Sequence, residues 1–177
     1  MNINIMNSVR VFSFAPILMV AAALTGCGKK STAPTTTATT AATPITQPAM
    51  TAWERGDKPA AINSFLATDW SARPRFAAGS ALGLSEDQFK SLSEADRQAR
   101  STEMMPQLDS FKQLAAAVAQ AGREAAAKGD KDQARKCFAA VKDSGTALDR
   151  PDCLSIVQLV GKSLKKMADA ELAKNGQ

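Results

Sequence analysis

The chain of 177 residues contains no histidine and no tyrosine. Without histidine there is no Ser-His-Asp or Cys-His nucleophile, no imidazole general base and no histidine-ligated zinc; without tyrosine there is no phenolic acid. Aromatic residues are scarce at 5%, and the excess of +5 in charge is spread along the chain rather than gathered into a patch. A basic surface interleaved with aromatics is therefore missing, and no nucleic-acid partner is expected. Cysteine is limited to three residues: Cys27, Cys137 and Cys153.

What is present begins at the N-terminus. A short polar start ends in Arg10. An apolar run follows from Val11 to Leu24, broken only by Ser13 and Pro16, and the small residues Thr25 and Gly26 precede Cys27. These are the three parts of a secretory signal. The run is about 14 residues, short of the ~20 that span a bilayer as a helix. Leu24-Thr25-Gly26-Cys27 resembles the bacterial lipoprotein box. That resemblance implies removal of residues 1–26, with Cys27 as the first mature residue carrying diacylglycerol and often a further acyl chain. Two or three chains anchor a protein stably, at ~0.8 kcal/mol per buried CH₂. Gly28 in place of aspartate favours passage to the outer membrane in enterobacterial lipoproteins, facing the periplasm in a diderm cell. Lys29 and Lys30 follow the anchor, where each is worth about 1 kcal/mol against anionic headgroups.

Residues 27–48 hold the lipidated cysteine and a Thr/Ala/Pro-rich stretch with few large apolar side chains. It cannot bury enough surface to offset its ordering entropy and reads as a disordered tether. Residues 49–177 then carry helical periodicity. The fold class expected is all-α: antiparallel helical hairpins, either tetratricopeptide-like or an irregular bundle, after the tether.

Helix boundaries are signalled locally. Gly56 reads as a left-handed stop after Trp53-Glu54-Arg55, and Asp57 as the N-cap of the next helix, with Pro59 in its first turn. Ser85 and Ser93 each head a capping-box spacing. Pro106 predicts a break or kink near Met105, since an interior proline costs ~3 kcal/mol. The following helices are read as Lys131–Asp143, stopping at Ser144-Gly145, and a last one beginning at Pro151-Asp152.

One arrangement occurs twice. Gly56-Asp57-Lys58 is followed by Ala61 and Phe65, and Gly129-Asp130-Lys131 by Ala134 and Phe138. This is similar to the second half of a tetratricopeptide repeat, in which a small alanine and a large aromatic let two helices approach. Gly122, seven residues before Gly129, matches the small position of the family's first helix. Departures are the missing tyrosine, the missing closing proline of the second copy, and the little room left for a leading helix after Pro44 and Pro48.

No catalytic residue emerges. Glu86 with Asp87, and Glu94 with Asp96, are the carboxylates that glycosidase chemistry on envelope polymers would use, but all four occupy first turns, where the helix dipole favours them. Gly79-Ser80-Ala81-Leu82-Gly83 is neither a nucleophile elbow nor a phosphate loop. Met104-Met105 point to different sides of a helix and make no soft-metal site. No cofactor and no metal are expected, and the chain is read as a non-enzyme.

Cys137 and Cys153 are placed on inward faces of successive antiparallel helices, and in an exported protein they are expected to form a disulfide; unpaired core thiols are the alternative. Trp53, Trp70 and Phe76 are the large aromatics that could reach a partner, against folding onto the core. The functional expectation is a membrane-anchored scaffold that binds a protein partner. A structural lipoprotein without a client, or an accessory acting on envelope polymers, is the alternative.

Overall fold

A computed structural model describes residues 43–73, 75–77 and 79–175. Cys27 and the signal lie outside the described residues, as does most of the tether. The described residues are all helical apart from turns and one 3₁₀ turn at Ala81–Gly83. The helices are α1 (Gln47–Glu54), α2 (Lys58–Ala67), α3 (Glu86–Ser91), α4 (Glu94–Ala127), α5 (Lys131–Leu148) and α6 (Ser155–Asn175). None is long and apolar enough to cross a membrane.

The two Gly-Asp-Lys segments make the same turn. Gly56 and Gly129 sit at φ of +77° and +82°, a region glycine enters without steric cost. After each, the aspartate N–H reaches back to a carbonyl five residues upstream, Asp57 to Ala52 at 3.0 Å and Asp130 to Ala125 at 2.9 Å. Each aspartate side chain then caps the next helix, accepting from Ala60 N at 3.1 Å and from Gln133 N at 3.0 Å. So α1 turns into α2, and α4 into α5, through one shared local geometry.

Ser85 forms a complete capping box with Gln88. Ser93 Oγ accepts the Asp96 N–H at 3.1 Å. These caps supply partners to orphan N–H groups and are worth roughly 1 kcal/mol each.

The helix α4 is the central strut. It packs on α1, α2, the 3₁₀ turn, α5 and α6. At its middle Phe111 meets Phe65 of α2 and Trp70 of the following loop, with ring centroids 6.0 Å apart in both pairs and Phe65–Trp70 at 4.6 Å. Leu114, Val118, Phe138, Val141, Leu148 and Val157 are fully buried between α4, α5 and α6, each contributing about 1.5–3 kcal/mol by leaving water. Gly122 lets α5 approach: a Cβ there would lie 2.7 Å from the Phe138 ring and 2.9 Å from Cys137 Cβ. Between α5 and α6 the approach is closer still, with Gly145 against Gly161.

Four boundaries differ from the sequence expectation. The ordered domain starts upstream of Ala49: α1 begins at Gln47, Ile45 packs on the core, and buried Thr46 donates to the Arg75 carbonyl at 2.7 Å. No break occurs at Pro106, which lies within the continuous 34-residue α4. Pro106 is exposed, so water can serve the carbonyl that its missing N–H leaves free. Helix α5 does not stop at Ser144-Gly145 but runs through both to Leu148. The Ser144 hydroxyl bonds to the Val141 carbonyl at 2.8 Å, and Gly145 is a helix contact rather than a cap. Helix α6 begins at Ser155, leaving Cys153 and Leu154 buried in the turn before it.

That last shift corrects the disulfide. Cys137 and Cys153 are both free and buried, and not within bonding distance. Cys137 sits near the start of α5, whereas Cys153 lies beyond its far end. About 16 Å of axial rise separates Cys137 from the end of α5, against the ~4.4–6.8 Å between Cα atoms that a disulfide needs.

Candidate functional site

The aromatic candidates are positioned by the loop between α2 and α3. Trp70 is core: it is 8% exposed and wedged between Phe65 and Phe111. Trp53 and Phe76 are half-buried and packed against the core. Phe76 lines a groove of about 450 Å³ between α1, the loop and α4, with Met50, Glu54, Glu103 and Gln107. Of the three, Trp70 belongs to the core, and Trp53 and Phe76 keep part of their surface exposed.

Three of the four candidate carboxylates are occupied at helix starts. Glu86 Oε2 accepts from both the backbone N and the hydroxyl of Ser155, at 3.1 and 3.0 Å. It thereby caps the first turn of α6 from a distant helix. Asp96 accepts from the Ser93 hydroxyl at 2.7 Å, and Glu94 is ion-paired with Arg97. Among the described residues no group of three or more metal-binding side chains gathers.

The thiols are shielded. Cys137 Sγ receives the Gln133 amide at 3.8 Å and Cys153 Sγ the Arg75 guanidinium at 3.4 Å. Burial pushes both thiols above their ordinary 9.0, which suppresses the reactive thiolate.

Two features went unmarked in the sequence. The first is an apolar face where α3, α4 and the start of α6 meet. Phe89, Met104, Met105, Leu154 and Ile156 line a cleft of about 350 Å³ there. Met105 is 47% exposed, Ile156 36% and Leu159, one turn along α6, 60%. Leu154 and Val157 beside Ile156 are buried.

The second is a cluster of arginines around Asp152. Arg73 lies 2.8 Å from its carboxylate, Arg150 3.3 Å and Arg75 3.6 Å. Partial burial pushes the Asp152 carboxyl upward, but the Arg75 charge and the bonds from Arg150 and Arg73 outweigh it, holding the group below its ordinary 3.8. Loop residues 73 and 75 meet a turn nearly eighty positions later, a pairing no local spacing could signal.

No protein-family model matches the chain, and no curated protein or solved structure is significantly similar to it.

Proposed function

We propose that this chain is a lipid-anchored envelope protein whose helical domain binds a protein partner, held at the membrane through acylated Cys27, and at the outer membrane where the cell is diderm. The observation that carries the reading is Leu24-Thr25-Gly26-Cys27 directly behind a cationic start and an apolar run too short to span. The tetratricopeptide-like Gly-Asp-Lys hairpins favour a binding role, because stacked helical hairpins offer grooves to peptides. The exposed trio Met105, Ile156 and Leu159 beside Phe89 is the surface on which apolar side chains of a partner would lose most contact with water.

Two measurements test it together. The intact mass of the membrane-extracted protein should correspond to a chain starting at Cys27 with acyl chains added; an unprocessed precursor would remove the anchor. A photoreactive side chain at position 159 should give one reproducible protein adduct in cells, and the same group at Lys136 on α5 should not. Equal adducts from both positions would refute a specific face.

A further inference from the structure

Residues 68–71, Arg75 and the end of α5 enclose a cleft of about 370 Å³, lined by Trp70, Ser71, Arg75, Asp143, Thr146 and Arg150 among others. That volume lies at the lower end of small-molecule pockets. Two of its lining groups are buried donors short of acceptors. Trp70 Nε1–H is buried and has no hydrogen-bond partner. The Arg75 side chain is 10% exposed. A guanidinium carries five N–H donors, yet among the described residues Arg75 makes polar contacts through Nη1 only, and both are poor. One is the Cys153 sulfur at 3.4 Å, a weak acceptor; the other is Asp152 at 3.6 Å, beyond a normal hydrogen bond. The Asp152 carboxylate is instead engaged at closer range by Arg73 and Arg150. A nearly buried cation with donors left over is costly to fold around, and a ligand anion would remove that cost.

The lining also limits the anion. Asp143 and Asp69 also line the cleft. Asp69 is satisfied by the Ser71 backbone N–H at 3.0 Å and hydroxyl at 2.6 Å, so its charge stays with the site. Two fixed carboxylates disfavour a dianionic phosphate but suit a ligand that brings a positive group beside its carboxylate.

We propose that this cleft binds a small zwitterion of free amino-acid size, its carboxylate received by Arg75 and Arg150 and its ammonium facing Asp143. The Ser71 and Thr146 hydroxyls add polar groups to the wall. This site is separate from the apolar face of α3, α4 and α6, and it stands whether or not the anchored-adaptor reading does.

The test uses the full chain in detergent micelles, followed by the two indole N–H resonances that its two tryptophans provide; Trp53→Phe assigns which is Trp70. L-alanine, acetate and inorganic phosphate are titrated in turn. Alanine should move the Trp70 resonance saturably and at lower concentration than acetate. Arg150→Gln, an exposed substitution, should raise the half-saturation for alanine about tenfold, the loss of one charge-assisted contact. Asp143→Asn should bring alanine to the level of acetate. A Trp70 resonance that neither alanine nor acetate moves would overturn the site. Phosphate saturating below alanine would overturn the ligand class.

Discussion

Glu86 and Ser155, 69 positions apart, form a helix cap across the fold: one carboxylate oxygen accepts both donors of the first residue of α6. The Ser155 backbone N–H, then its hydroxyl, holds the Glu86 carboxyl below its ordinary 4.5, with the Lys90 charge adding to the effect. A depressed carboxylate stabilises the fold at every pH above its unfolded value and loses that contribution as pH falls through the folded one. Stability should therefore be flat from neutrality down to the ordinary carboxylate range and decline below it. Asp69 and Asp152, also lowered, contribute to the same decline. Glu86→Gln should lower the melting temperature at neutral pH and make the acid decline shallower. An unchanged acid profile would show the cap to be incidental.

Gly122 and Gly161 should respond differently to alanine. Alanine gains up to ~1 kcal/mol over glycine in a helix, but at Gly122 it meets the fully buried Phe138 ring at 2.7 Å. Overpacking of this kind costs ~1–3 kcal/mol, so Gly122→Ala should be destabilising by about 1 kcal/mol in urea unfolding. At Gly161 the new carbon would lie 2.6 Å from the backbone N of Asp149 and the O of Gly145. Backbone cannot rotate aside as a ring can. Gly161→Ala should lose more than Gly122→Ala, and the reverse order would contradict the close α5–α6 contact.

Pro106 offers a gain. Its ring lies in the interior of α4, exposed, with no N–H to give the Thr102 carbonyl. Pro106→Ala should stabilise the protein by about 1–3 kcal/mol, read as a raised urea midpoint with unchanged slope. A loss of stability would mean that the helix depends on the proline's bend.

The thiols Cys137 and Cys153 should label slowly in the native protein and quickly in denaturant, since both are buried and held in the protonated form. Reduction should leave their reactivity and the mass of the chain unchanged. A loss of two hydrogens between them, visible by mass spectrometry, would contradict the geometry.

Legibility in the sequence followed locality. Asp57, Ser85 and Ser93 were readable as caps because a cap and its N–H lie three residues apart, and all three accept that bond. The glycine stop at 56 was readable for the same reason. Gly145 was not, because its cause is Gly161 on the next helix rather than a turn in its own. The end of α5 and the start of α6 each lie a few residues beyond the positions that their local signals suggested, because those ends are set by the contact between the two helices. The Arg75–Asp152 pair and the Glu86 cap join segments that share no sequence signal. Trp70 was readable only as an aromatic in a loop; that it completes a core with Phe65 and Phe111 depends on how the loop returns.

The 34-residue α4 has a consequence for how the chain acquires its shape. Phe65 and Trp70 leave the ribosome well before Phe111, the ring that closes their cluster. The α1–α2 hairpin is short and lies against α4 and α5, both made after it, and isolated helices of its length are marginal in water. Order of synthesis is thus not order of folding: the first hairpin waits for the strut. A chain ending before α4 would lack Phe111, the ring against which Phe65 and Trp70 pack. Melting of the whole should accordingly register as one event, with no surviving N-terminal remnant.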